Sequence, residues 1–250
     1  MHALLFRSLV FILVLIAPLS TRAQESTDNL KLYDFFQPAS PSQIFRSDTY
    51  FNWGASIIKG KNGTYHLFYS RWKRSLGFTA WLTHSEIAHA TSKSPSGPWK
   101  FKEVVLKGRR DGKWDAITAH NPKIKYFEGK YYLYYISTHM GQETYTEEDL
   151  MEIAATGYQH PKWQVLRPNQ RTGVAVSESL KGPWKRMDQA LIEPSGPIST
   201  LTVNPAIDRG DDGKYYLIVK GDKPNETRFI RNQAIAVSDH PAGPFKIQSK

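Results

Sequence analysis

Three stretches of this chain repeat one another, and this repeat limits the possible fold more than any other feature. They cover residues 54–70, 121–136 and 204–219. Each consists of a short apolar segment, a turn glycine (Gly63, Gly129 or Gly213) and an aromatic-rich return segment, which is the pattern of a β-hairpin. A second segment follows each hairpin and ends in Gly-Pro-aromatic, at 97–99, 182–184 and 243–245. The repeat unit therefore holds four predicted strands.

Four-stranded units in series are typical of β-propeller blades. We predict an all-β propeller with blades at about 50–115, 116–198 and 199–250. A β-sandwich is the alternative, but it would need three matching copies of both halves by coincidence. Because propellers usually close with roughly four to eight blades, we expect either further blades beyond residue 250 or a partner chain that completes the ring.

The second unit is longer than the others because residues 139–170 interrupt it. Within this insert, Thr146 is a suitable helix N-cap, acidic residues follow it, and Gly157 suits the helix end. We therefore predict a short helical insert in blade two. Since it leaves the end of a second strand, it should overhang one mouth of the propeller.

The N-terminus has the three-part pattern of a secretory signal peptide at 1–23, followed by a lead-in segment at 24–49. The apolar run is shorter than the roughly 20 residues of a membrane anchor, so we expect a secreted or periplasmic protein without a membrane partner. The chain has no cysteine, which excludes disulfides, thiol nucleophiles and cysteine-bound metals. Loss of Arg7 and Arg22 with the leader lowers the net charge from +10 to about +8. An exported protein rarely meets nucleic acid. The positive net charge therefore has two interpretations: it is spread over the surface without a specific partner, or it binds an anionic polysaccharide.

Blade topology predicts which residues share the mouth, because innermost strands begin there and second strands return to it. Tryptophan offers a flat apolar face to a sugar ring, and arginine or lysine can pair with anionic substituents. Candidate substrate-binding residues are Trp53, Arg71, Trp72, His84, His120, Asn121, Arg171, Asn204, Lys220 and Asp222.

Three carboxylates are candidates for catalysis. Asp48 and Asp115 precede the first two innermost strands at the same offset, and Glu86 begins a third strand. Paired carboxylates supply the acid and the base or nucleophile of glycoside hydrolysis. Asp115 also fits a turn cap and Asp48 an exposed surface position, so these alternatives stay open.

The hairpins, the Gly-Pro-Trp ends and the motifs at 53–56, 83–86 and 118–122 resemble the five-bladed propeller glycosidases of glycoside hydrolase family 43. They are most similar to secreted bacterial relatives of undefined substrate. The resemblance implies five blades, with an Asp base on the first innermost strand, a second Asp on the next and a Glu acid on the third. Gly54 and Asn121 stand where the two Asp are expected. The family triad is therefore not carried over to this chain.

These observations predict an exported glycoside hydrolase that acts on plant or algal poly- or oligosaccharides, with Glu86 and Asp115 as the acid/base pair and Asp48 as a third carboxylate. A non-catalytic carbohydrate-binding propeller is the main alternative, and a protein-interaction propeller is a third. The sequence has no loop with calcium or zinc ligand spacing, so no metal site or cofactor is expected. A structural calcium ion at the propeller centre stays an open alternative.

Overall fold

The computed structural model describes residues 35–36, 38–226 and 228–248. The chain divides into two units, Met1–Pro38 and Ala39–Lys250, and the second contains all the strands described below. The leader predicted at 1–23 lies outside the described residues. Among the described residues, no helix combines the length and the apolar character that a membrane crossing requires.

Within residues 39–226 and 228–248, the strands form three antiparallel sheets of four strands each, and in each sheet the strands are neighbours in chain order. Blade one contains β1 (Tyr50–Lys59), β2 (Tyr65–Lys73), β3 (Glu86–Ser92) and β4 (Lys100–Leu106). Blade two contains β5 (His120–Phe127), β6 (Lys130–Thr138), β7 (Gln170–Ser177) and β8 (Lys185–Arg186). Blade three contains β9 (Ser199–Arg209), β10 (Tyr215–Asp222), β11 (Arg231–Ser238) and β12 (Lys246–Ile247). The prediction of an all-β fold with four-stranded propeller blades is confirmed.

The turn glycines explain why each hairpin closes where it does. Gly63, Gly129 and Gly213 have φ values of 80°, 81° and 82°. This left-handed conformation is easily reached only without a Cβ atom. The Gly-Pro bond after each third strand is cis in all three blades.

The core lies between the blades. One apolar cluster, which includes Phe68, Ile87 and Leu133, joins blade one to blade two, and a second, which includes Tyr134 and Leu217, joins blade two to blade three. Strand β6 is buried along nearly its whole length, because a blade packs against each of its faces. Its continuous apolar and aromatic run is what a strand covered on both faces requires.

The predicted helical insert in blade two contains helices α2 (Glu147–Thr156) and α3 (Pro161–Leu166). Thr146 Oγ1 accepts a hydrogen bond from the Asp149 amide (3.1 Å), and Asp149 Oδ2 accepts one from the Thr146 amide (2.8 Å). These reciprocal bonds form a capping box. Apolar side chains of the insert pack on a short helix, α1 (Trp81–His84), which the sequence pattern did not predict. The insert is therefore anchored on blade one.

Candidate functional site

A cavity of about 300 Å³ opens where the innermost strands of all three blades begin. Blade one, blade two, blade three, helix α1 and the insert all contribute to its wall. The lining residues are Trp53, Trp72, Phe78, Trp81, His120, Asn121, Ile136, Tyr158, Gln170, Val203, Asn204 and Arg231. We call this the mouth cavity. Half of these side chains are aromatic, and most of the others carry hydrogen-bonding groups.

The three innermost strands bend at equivalent positions beside this cavity. Gly54, Asn121 and Asn204 have φ values of 57°, 47° and 54°, and each lies at a register shift in the pairing with the second strand. Asn121 Nδ2 donates a hydrogen bond to Asn204 Oδ1 (2.8 Å). A Cβ atom on Gly54 would clash with Asn121 Oδ1, so a larger residue at this position would displace the Asn121 amide.

His120, the first residue of β5, presents a neutral imidazole to the cavity. The Ser85 hydroxyl donates to the Ala119 carbonyl (3.2 Å), and Ser85 Oγ lies 2.7 Å from His120 Nδ1. In the arrangement in which the single hydroxyl hydrogen of Ser85 is given to Ala119, Nδ1 donates to Ser85 Oγ and Nε2 is left as an acceptor. Burial lowers the pKa of His120 to about 3, so the ring stays uncharged over the physiological range.

The two tryptophans predicted as sugar platforms differ in exposure. Trp53 is 52% exposed and meets Phe78 edge to face, with ring centroids 5.9 Å apart. Trp72 is only 2% exposed and packs against His120 at 5.6 Å. Trp53 therefore has a face available for a ligand, whereas Trp72 mainly supports the ring of His120.

Asp222, the last residue of β10, is a buried anchor. Arg167 of the insert donates two hydrogen bonds to its carboxylate (2.9 and 2.7 Å), and Arg231 and the Thr200 hydroxyl also donate to it. Burial alone would raise the pKa of Asp222, but the bonds from Arg167 and Thr200 outweigh it and lower the pKa. The ion pair ties the insert, which supplies Tyr158 to the cavity wall, to blade three.

The structure does not bring the three candidate catalytic carboxylates together. Asp115 is fully buried and accepts hydrogen bonds from Arg109 (2.5 Å), Arg186 (3.3 Å) and Tyr135 (2.7 Å). Its carboxylate holds a loop in place and has no surface for a substrate. Asp48 is exposed on a bend before β1.

Glu86 lies outside the mouth cavity. Its Oε1 accepts a hydrogen bond from Arg71 Nε (2.8 Å), and the Arg71 guanidinium stacks over Tyr50 and Phe101, 4.3 Å from each ring centroid. Glu86 lines a separate polar depression that also includes His84 and Glu147. His84 Nε2 is 3.2 Å from Glu147 Oε1, and burial lowers the pKa of His84.

Two other predicted binding residues have clear environments. Arg171 donates to Glu193 (2.6 Å) and to three backbone carbonyls, so its guanidinium is engaged within the protein. Lys220 lines a second cavity of about 530 Å³, the axial cavity, together with Lys123 and Gln233. Trp53, Asn121 and Asn204 line both cavities, so the two adjoin. Over the described residues, no Asp or Glu lines either one.

Several lining residues of the mouth cavity were not among the predicted binding residues. Trp81, Phe78 and Tyr158 lie in irregular or helical segments, whose course a strand pattern does not define. Tyr158 lies in the insert. The expectation that this insert overhangs the mouth was the signal that could have identified Tyr158 as a lining residue. Arg231 begins β11 and lies opposite Asp222 of β10 in the strand register, and Asp222 was among the predicted binding residues.

Comparison with solved structures identifies the architecture. The chain matches Zg3597, a family 117 glycoside hydrolase produced by the marine bacterium Zobellia galactanivorans, with a TM-score of 0.60 and 21% identity. It also matches CoXyl43, a GH43 β-xylosidase/α-arabinofuranosidase from a compost microbial metagenome (TM-score 0.51, 18% identity), and an endo-1,4-β-xylanase from Bacteroides thetaiotaomicron (0.54, 17%). The fold is that of the β-propeller glycosidases. The predicted resemblance to this type is confirmed.

The match covers 82%, 81% and 86% of this chain but only 58%, 60% and 61% of the three glycosidase chains. This chain therefore spans about three fifths of their length. No family model matches it, and no curated protein matches it in sequence. Across the part of the chain that the structure describes, no three His, Asp or Glu side chains cluster as a metal site would need.

Proposed function

We propose that this chain is an exported glycoside hydrolase of plant or algal poly- or oligosaccharides, and that the sugar binds in the mouth cavity. The observation that carries the proposal is an aromatic cavity of about 300 Å³ at the meeting point of the innermost strands in a glycosidase-type propeller. Small-molecule sites are typically concave, mostly apolar and provided with a few polar groups. The mouth cavity has this character.

The cavity walls suit a sugar ring. The half-exposed face of Trp53 can cover the apolar C–H face of a pyranose or furanose. His120 Nε2 can accept from a sugar hydroxyl, while the exposed Asn204 amide can both donate and accept. Because His120 and Asn204 come from different blades, they would contact different hydroxyls and so fix the orientation of the ring.

The acid/base groups of the reaction stay a prediction. Among Glu86, Asp115 and Asp48, only Glu86 and Asp48 have exposed surface. We propose Glu86 for the chemistry, with Arg71 holding its orientation. Because Glu86 lies in a depression outside the mouth cavity, this role requires a saccharide chain that extends from the mouth cavity to that depression. A second candidate function, carbohydrate binding without hydrolysis, is favoured by one specific observation: within the described residues, neither cavity is lined by a carboxylate.

The test is to incubate the full chain with a panel of plant and algal polysaccharides and to measure binding and the release of reducing ends separately. Loss of hydrolysis in Glu86→Gln with binding retained would support the hydrolase. Binding without hydrolysis in the unaltered protein would support the second candidate. Trp53→Ala should abolish binding, whereas Tyr126→Ala, an exposed aromatic that lines neither cavity, should not. Absence of binding to every glycan would overturn both functions.

Export rests on the leader pattern at 1–23. N-terminal sequencing of the protein recovered outside the cytoplasm should begin at Gln24. Recovery of the uncleaved chain would contradict this part of the proposal.

A further inference from the structure

All the charged residues that line the two cavities are cationic. The charged residues that line the mouth cavity and the axial cavity are Lys123, Lys220 and Arg231. They come from blade two and from two strands of blade three. A one-signed concave surface attracts ligands of the opposite charge and repels those of like charge.

Arg231 is the cation of the mouth cavity, and it is only partly neutralised. Its Nη1 donates to Asp222, but the same carboxylate already receives two hydrogen bonds from Arg167. One carboxylate thus serves two guanidinium groups. Burial and the nearby Arg167 cation lower the pKa of Arg231 and outweigh the attraction of Asp222. A further anion beside Arg231 would relieve this repulsion.

Arg231 also has donors to spare. Its side chain is 40% exposed, and among the described residues its only side-chain hydrogen bond goes to Asp222. A guanidinium offers five N–H donors in a planar fork that matches the two oxygens of a carboxylate or sulfate group. The remaining donors are therefore available to a ligand in the cavity.

The two lysines of the axial cavity contrast with their neighbour on β5. Lys125 Nζ lies 2.7 Å from Asp208 Oδ2 and forms an ion pair. Lys123, two residues earlier on the same strand, and Lys220 have no carboxylate within 4.0 Å in the described ranges. Both are half-buried. Their charges are directed to the axial cavity without an internal counterion.

We propose that this site recognises a carbohydrate that carries an anionic group, a uronic acid carboxylate or a sulfate ester, with Arg231 as the direct partner of that group and Lys220 and Lys123 as supporting cations. This inference rests on the proposed sugar binding in the mouth cavity. It adds the substrate class and the residue that selects it.

The experiment compares matched pairs of glycans that differ in charge: polygalacturonate with its methyl ester, and a sulfated carrageenan with its desulfated form. Dissociation constants of the full chain are measured by calorimetry at low and moderate salt. The charged member of one pair should bind about ten- to a hundredfold more tightly, which is the range for hydrogen bonds to a charged group. The pair that responds identifies carboxylate or sulfate as the source.

Variants separate a specific contact from general attraction to a basic protein. Arg231→Gln should lower the affinity for the charged glycan to that of its neutral partner, and Arg231→Lys should retain part of it. Lys220→Gln removes no ion pair of the described residues. It should also weaken binding of the charged glycan, and it tests the inference independently if the Arg231 variants misfold. Lys185→Gln on β8 is exposed and removes the same charge far from the cavities, so it should change the affinity by less than about twofold.

The outcomes distinguish this inference from the proposed function. Equal binding of charged and neutral glycans, or an Arg231→Gln effect no larger than that of Lys185→Gln, would overturn the inference and leave sugar binding intact. If no glycan of either kind binds, the proposed function itself fails and the inference with it.

Discussion

Replacement of Asp222 by Asn should destabilise the protein more than any exposed substitution. The Asp222 carboxylate receives hydrogen bonds from Arg167, Arg231 and the Thr200 hydroxyl, and Arg167 is 5% exposed. Removal of the charge leaves a buried guanidinium without a counterion, which costs about 3–5 kcal/mol. An asparagine oxygen can still accept some of these bonds, so we expect a loss of about 3 kcal/mol in unfolding free energy. The whole free energy of unfolding of a domain is only about 5–15 kcal/mol.

The assay is equilibrium unfolding in urea, followed by tryptophan fluorescence. Asp211→Asn removes the same charge from an exposed turn and should change the unfolding free energy by less than about 0.5 kcal/mol. Arg167→Met should cost less than Asp222→Asn, because Asp222 keeps Arg231 and Thr200 as partners. Proteolysis within residues 139–170 should be faster in Asp222→Asn, since this ion pair ties the insert to blade three. Equal stability of Asp222→Asn and Asp211→Asn would refute the reasoning.

Three further predictions concern the site and its surroundings. Gly54→Ala should cost at least about 1 kcal/mol more than Gly63→Ala, measured by urea unfolding. Both substitutions place alanine in the unfavourable left-handed conformation, but only Gly54→Ala also displaces the hydrogen-bonded Asn121 amide. Equal losses of unfolding free energy in the two variants would contradict this. Because the pKa of His120 falls from 6.5 to about 3 on folding, the unfolded state binds the extra proton between these values. Stability should therefore fall by about 1.4 kcal/mol per pH unit below 6.5 from this group, and His120→Gln should reduce that slope by about one proton; an unchanged slope would oppose it. Asp115→Asn should lower the unfolding free energy by about 3 kcal/mol, because the largely buried Arg186 then has no carboxylate partner among the described residues, although Arg109 keeps Asp188 and Asp111; loss of hydrolysis in a variant of undiminished stability would instead assign Asp115 to the chemistry.

Much of the fold could be predicted because its signals are local. A glycine at each hairpin turn and an aromatic return strand define a blade without knowledge of distant residues. Helix α1 escaped prediction because four residues at 81–84 are too few to show a helical period. The insert was recognisable from Thr146 and Gly157, whose capping roles depend only on nearby backbone.

The site was predictable where topology alone decides the position. Trp53, His120 and Asn204 lie on the innermost strands, at or next to their bends, and the structure brings all three to one cavity. Side-chain direction was not predictable in the same way. Asp115 precedes β5 but points into a buried network with Arg109, because the loop before β5 turns inward, and sequence offsets do not contain that information.

The left-handed bends at Gly54, Asn121 and Asn204 affect how the chemistry of this site can evolve. Apart from glycine, asparagine and aspartate are the residues that adopt this conformation most readily. An Asn204→Asp change would keep the oxygen that accepts from Asn121 Nδ2 and would need no new backbone. A carboxylate could thus arise beside the propeller axis by one amide-to-acid exchange, so the backbone keeps open a route between a neutral binding site and an acidic one.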